Sequence, residues 1–485
     1  MKTMMAYSAF LLTPLLAVAQ ANYVAHEWGT FTTLAASDGQ LLSGLYVDEE
    51  KLPAGTYMVG RGWYEYSETL KGYYLNWTKL KNVKTKMETP VIYFYSDEPA
   101  AFSVTAKVNW PRGSISQWYP QRDDGEPTHD DLYQVPVERS VDFNQPYNGW
   151  IKWSASVLPR GDQTPFSLST ESAVWNAPRE TSSNLVQAAG ETEKYLFYRG
   201  IGNMSLPFRV EFNDKGRLVV SNNLGGHVPF VLVYEYDSTE GVRIWWMGNL
   251  NSGSRKVLDR PAWTSDESTV AMAMDRFHSA IEDQGLKQDE AKAMLKTWDA
   301  SYFHTEGLKV FWVLPRTVVD QQLPLSLTPV PTSLQRVMVG RYEILTPERE
   351  AEIYHAFQEK NYSSVRDRFF YAYVDLVERM KAGSFSYTTA DKDVGIPTPR
   401  NTVSFGAPVP NPAEVRITLA ISSAEVSAAE ILISDVHGRL ILSWRLPLIA
   451  GVTLFEHDIA DLASGIYIAR FAVDGATETF RIVKM

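Results

Sequence analysis

The chain has 485 residues, 45% of them hydrophobic, with a formal net charge of −11 and no cysteine. The missing cysteines exclude disulfides, thiolate metal sites and a cysteine nucleophile. The negative balance, with a pI of about 5.4, argues against nucleic acid or an anionic membrane as the main partner.

Residues 1–21 carry Lys2, an apolar run over 4–19 and then Ala19-Gln20-Ala21, a small-residue cleavage pattern. They read as a secretory signal peptide, with the mature chain starting at Asn22. Thr13-Pro14 interrupts the run. It is too short to span a bilayer, and no later stretch reaches the ~18 apolar residues a spanning helix needs. No transmembrane helix is expected in the mature chain.

Residues 22–385 read as a mainly β, sandwich-like cargo domain with helical insertions at about 265–302 and 347–382. Strand-like runs lie at 89–96, 102–110, 149–158, 194–198, 206–212, 228–236 and 242–247, punctuated by Gly, Pro, Asn and Asp. Antiparallel pairing is expected. The 14 Trp and 25 Tyr suit such sheets. Thr264-Ser265-Asp266-Glu267 forms a capping box, with Thr264 as cap, for a helix that runs to Gln284 and stops at Gly285. A second helix over 288–302 places Ala291, Met294, Leu295 and Trp298 on one face.

The apolar run 308–314 predicts a strand buried on both faces, and 336–345 predicts another. Thr346-Pro347-Glu348 opens a helix with a capping Thr and Pro at the first position. A last helix over 363–382 aligns Val365, Phe369, Ala372, Leu376 and Met380. Residues 386–407 lack periodicity and read as a linker.

Residues 408–485 carry β-branched runs at 415–421, 430–436 and 466–473. His437-Gly438 and Asp474-Gly475 supply hairpin turn signals. This spacing predicts a small C-terminal Ig-like β-sandwich. Asn411-Pro412-Ala413, Asp435-Val436-His437-Gly438-Arg439, Leu462-Ala463-Ser464-Gly465-Ile466-Tyr467 and the terminal Ile482-Val483-Lys484 resemble, in order, the C-terminal sorting domain of the bacterial type IX secretion system. The resemblance implies passage across the outer membrane, then release or surface anchoring, usually with removal of the tail. It makes the secretion machinery the partner of residues 408–485.

His26-Glu27-Trp28-Gly29-Thr30-Phe31-Thr32 is the most conspicuous string of the cargo. It is not the zincin motif, because Thr30 stands where a second His is needed. On a strand, His26 and Glu27 point to opposite faces. The cargo also resembles a group of uncharacterised secreted bacterial proteins that open with the same string after the signal peptide. They share the segments Lys86-Met87-Glu88-Thr89-Pro90, Trp118-Tyr119-Pro120, Tyr198-Arg199-Gly200 and Val339-Gly340-Arg341. That resemblance carries an architecture and no reaction.

His304 and Glu306 precede the buried strand and fall on one face if the alternation extends to them. With His26, or with Glu27 across a bulge, they offer imidazole and carboxylate ligands for a divalent metal such as zinc. Glu27, Glu88, Glu306 and Asp320 sit in apolar or aromatic contexts. Two such acids facing each other across a groove would suit glycoside hydrolysis. Each also has a plain reading as an ion-paired structural carboxylate, with Arg199, Arg316 and Arg341 available. No Gly-x-Ser-x-Gly elbow or phosphate loop occurs, and Gly200-Ile201-Gly202 lacks the third glycine of a dinucleotide site.

Two functions follow for an exported protein. One is an extracellular hydrolase, with Glu27, Glu88 and Glu306 as catalytic candidates and His26 and His304 as metal candidates. The other is a non-catalytic surface protein that binds polysaccharide or protein through aromatic loops.

Overall fold

The computed structural model describes residues 22–383 and 404–485, except 49–51, 60–63, 68–71, 76–79, 127–140, 146, 205, 207, 225, 406–412, 424–426, 436–438, 449–450 and 474–475. The signal segment, most of the stretch read as linker and the His437-Gly438 and Asp474-Gly475 turns lie outside the described residues.

The principal cargo strands, in chain order, are β1 (Val24–Ala35), β2 (Thr85–Met87), β3 (Val91–Tyr95), β4 (Phe102–Trp110), β5 (Gly113–Tyr119), β6 (Gly149–Val157), β7 (Leu196–Gly202), β8 (Val228–Asp237) and β9 (Gly241–Leu250). Helices α1 (Glu267–Asp283) and α2 (Gln288–Phe303) follow, then β10 (Gly307–Val313), β11 (Ser333–Ile344), α3 (Pro347–Gln358) and α4 (Phe370–Lys381).

A 10-stranded sheet forms the middle layer, in the order β9-β8-β10-β11-β1-β2-β7-β5 and then Tyr57–Met58, with β3 beside β1 and β7. The string around His26 therefore lies at its centre. Strand β1 is buried on both faces, as its β-branched and aromatic content allows. Gly29 is required there by close approach: an added Cβ would fall 2.7 Å from Pro90 Cα and 3.1 Å from Met338 Sδ.

One face of this sheet packs on a second sheet built around β4 and β6, burying Phe31, Trp110, Ile151 and Trp153. The other face is covered by α1 and α2 and buries Trp28, Phe277, Trp298, Tyr302 and Phe311. The result is helix layer, sheet, sheet.

Three expectations change. The central sheet is mixed, because β1 pairs with β11 in parallel from Val24↔Ser333 to Ala35↔Ile344. A strand buried on both faces is what a parallel neighbour tolerates. The cap of α1 is Asp266, which accepts from Ser268 N at 3.1 Å. Thr264 is unavailable because its backbone is laddered to Val242. Helix α4 starts at Phe370 because Asp367 accepts from Phe369 N, at 2.8 Å, closing the turn before it. Thr346 does cap α3, accepting from Arg349 N.

The tail is a separate sandwich with its own core of Ile417, Ile431, Ile433, Ala469 and Phe471. Ser404–Phe405, Arg416–Ser423 and Gly451–Asp458 make one sheet. Leu440–Leu448, Ser427–Asp435, Gly465–Val473 and Ala476–Lys484 make the other. Its first described strand thus begins at Ser404, inside the stretch read as linker.

Candidate functional site

Alternation along β1 sends Glu27 between the two sheets, where it is fully buried. Arg336 is its direct neighbour on β11 and donates from Nε to Glu27 Oε2 at 2.6 Å. Tyr198 OH donates to Oε1 at 2.7 Å. Burial, then the Glu27 charge, holds the Tyr198 phenol protonated by raising its pKa well above the usual value. Arg336 also reaches Asp320 Oδ1 at 2.8 Å and the Leu323 carbonyl at 2.7 Å. Both carboxylate oxygens of Glu27 are thus committed to the sheet interior, and Asp320 belongs to the same network.

His26 points the other way, under the helices. Its Nδ1 lies 2.7 Å from Glu290 Oε2. Tyr95 OH donates to Glu290 Oε1 and the Lys287 amide donates to Oε2, both at 2.8 Å. Glu290 stands in the first turn of α2, where a carboxylate also satisfies the helix N-terminus. His304 caps the opposite end of α2, half-exposed and 3.5 Å from Asp299. A helix of 16 residues spans about 24 Å. The structure therefore does not bring His26 and His304 together, and the imidazole pair expected for zinc does not form. Among the described residues no group of three or more His, Asp or Glu side chains is arranged to hold a metal ion.

Glu88 follows β2 and is buried. Its amide donates to the Thr30 carbonyl at 2.9 Å, and its carbonyl accepts from Arg199 Nε at 2.7 Å. Its side chain lines a small cavity with Thr32, Lys86, Arg368 and Phe369. Lys86 pairs with Asp48 at 2.6 Å. Thr32 Oγ1 is buried there with no hydrogen-bond partner among the described residues.

Arg368 and Phe369 also line a larger groove, and Glu306 lies in it. Arg368 thus lines both the cavity at Glu88 and the groove at Glu306, whereas Glu27 lines neither. The three acids do not make one site. Glu306 belongs to the turn before β10 and accepts from Ser238 Oγ at 2.5 Å.

The groove carries Glu235, Asp237, Glu306, Glu343, Glu352 and Asp367 against Arg349 and Arg368, with Tyr236, Trp263 and Tyr373 in its walls. Its carboxylates are held by fixed donors. Glu343 accepts from Arg368 at 3.0 Å and lies 3.3 Å from Arg341. Asp367 accepts from Tyr373 OH at 2.8 Å. The Thr239 hydroxyl, then the Thr239 and Glu240 amides, lower the Asp237 pKa.

Among the described residues, burial raises the carboxyls of Glu126 and Glu350, both outside the groove. Burial pushes Glu126 up to about 7 against the opposing hydrogen bonds from Ile115 N and Ser114. Burial likewise pushes Glu350 up to about 7 against those from the Ser37 hydroxyl and amide.

Sequence reasoning missed Glu290 and Glu343. Glu290 looks like an ordinary first-turn helix acid, so nothing local announces its partner. Arg341 and Glu343 stand two apart in the buried second half of their strand, and that spacing does announce a buried pair on one face.

A family model of the secretion system C-terminal sorting domain matches residues 409–485. No curated protein matches the chain. Dimeric latent PorU from Porphyromonas gingivalis aligns over 82% of this chain and 32% of its own, at 8% identity and a TM-score of 0.16. The chain therefore spans about a third of the length of PorU. The yeast δ-COP-I μ-homology domain, complexed with a Dsl1 WxWxV peptide, aligns over 67% of this chain and 98% of its own, at 8% identity and a TM-score of 0.26. The chicken CNTN1 FN1–FN3 domains align over 82% and 94%, at 7% identity and a TM-score of 0.14. Superpositions of this quality carry no argument about function. Residues 409–485 are a type IX secretion system C-terminal sorting domain, which marks the chain for secretion or the cell surface.

Proposed function

We propose that the mature protein is an extracellular or surface-held binding protein, exported through a signal peptide at 1–21 and the sorting tail. Its ligand is a basic segment of an extracellular polypeptide, seated in the groove around Glu306. One observation carries this reading: Glu235, Asp237, Glu306, Glu343, Glu352 and Asp367 line one groove whose walls include Tyr236, Trp263 and Tyr373. Sugar hydrolysis through a carboxylic acid needs one carboxyl kept protonated beside an ionised one. A carboxylate-lined groove with aromatic walls suits Lys and Arg instead, whose stems pack on rings. Arg243 already stacks on Trp263, 3.7 Å from the ring centroid.

The test titrates a decalysine peptide into the purified protein and follows tryptophan fluorescence at two salt concentrations. Binding should weaken with salt. The double variant Glu306→Gln, Asp237→Asn should weaken it about fivefold, near 1 kcal/mol. The same two charges removed from Glu282 and Glu359, both outside the groove lining, should not. Release of reducing sugar from a polysaccharide, abolished by Glu306→Gln, would overturn the reading in favour of a hydrolase.

A further inference from the structure

Asn22, the first residue after Ala19-Gln20-Ala21, is already tied into the sheet. Its carbonyl accepts from Ser96 Oγ at 2.9 Å. The next carbonyl, that of buried Tyr23, accepts from Thr332 N and Thr332 Oγ1, each at 2.8 Å. The Asn22 nitrogen lies 3.1 Å from Glu98 Oε1.

Among the described residues the Glu98 carboxylate has no cationic partner, although two cations line the same pocket. Arg160 pairs with Asp97 at 2.7 Å. Lys287 Nζ sits over the Tyr95 ring, 3.3 Å from its centroid. A single amide N–H is a modest partner for a carboxylate, whereas an ammonium at the same place would be a strong one.

We propose that Glu98 is an α-ammonium site, built to receive the mature N-terminus. A signal peptidase adds water across the Ala21–Asn22 peptide bond. The C–N bond breaks, Ala21 leaves as a carboxylate, and the Asn22 nitrogen takes the protons that make it an ammonium. An α-amino group with a pKa near ~8 is charged at neutral pH. The new charge arises 3.1 Å from Glu98, so an amide hydrogen bond becomes a charge-assisted one. Strand β1 has 12 residues and stands at the middle of the central sheet, between β11 and the β2–β3 pair. Processing thereby clamps the head of the strand on which the cargo sheet is assembled. The inference rests on the signal-peptide reading and is independent of the groove.

The first arm of the test is N-terminal sequencing of the exported protein. Asn22 is expected; Gln20 or any other first residue overturns the proposal. The second arm uses protein purified with Asn22 as its first residue and follows acetylation of the α-amino group at neutral pH by mass spectrometry. An ion pair raises the amine pKa and slows acetylation. Glu98→Gln should therefore speed acetylation about three- to tenfold, for roughly half a unit to one unit of pKa. Asp97→Asn, which loses only the Arg160 pair, should change the rate by less than about twofold. Equal rates in the Glu98 variant and the parent protein, or an equal effect of the Asp97 change, would overturn the assignment.

Discussion

Arg336 lies directly across from Glu27 on the neighbouring parallel strand and donates to it at 2.6 Å, with both side chains shut away from solvent. A buried pair of this kind is costly to break and cheap to replace as a whole. Arg336→Ala should destabilise the cargo domain by about 3–5 kcal/mol, because a buried carboxylate loses its counter-charge. The double change Glu27→Leu, Arg336→Met should recover most of that loss. Urea denaturation measures both. A loss below ~1 kcal/mol from the single change would refute a purely structural Glu27.

His26 and His304 should behave independently. His26→Ala removes a buried partner of Glu290 and should cost about 1–3 kcal/mol. His304→Ala, at an exposed helix end, should stay within about 0.5 kcal/mol of the parent protein. Equal losses from the two, or a bound metal lost from both, would restore the shared site that the fold separates.

Acidity should stabilise the region around Glu350. Its carboxyl is raised from 4.5 to about 7 in the folded state, so the native protein binds this proton more tightly than the unfolded chain. The contribution is complete below the unfolded value near 4.5 and is lost as pH rises through about 7. The full window is worth up to about 3 kcal/mol. Glu126, raised by burial to about 7, adds in the same direction. Glu350→Gln mimics the protonated acid and should flatten that part of the stability–pH curve between pH 4.5 and about 7. A curve as steep as the parent's would show that Glu350 titrates normally.

Gly29→Ala should cost about 2–3 kcal/mol, because the added methyl meets the Pro90 backbone, which cannot step aside as a side chain would. Thermal unfolding reads the shift. A neutral alanine would mean that β1 and the Pro90 segment separate more easily than their packing suggests.

Removing residues 409–485 should leave the cargo folded but retained in the cell. The tail has a core of its own, from Ala413 to Ile482. Immunoblots of cell and medium fractions decide the point, and normal export of the shortened chain would contradict the tail's role.

What was legible in the sequence was whatever depends on neighbours along the chain. The blocks of the tail, the Thr346 cap, the doubly buried strand at 308–314 and the opposite headings of His26 and Glu27 all rest on local spacing, backbone chemistry or a recognisable motif. What only the tertiary structure decided was partnership over distance. Glu27 meets Arg336 across 309 positions of chain, and His26 meets Glu290 across 264. The reason is physical: alternation sets which way a side chain leaves its strand, but register and helix placement, fixed by burial of the whole sheet, set what waits for it there.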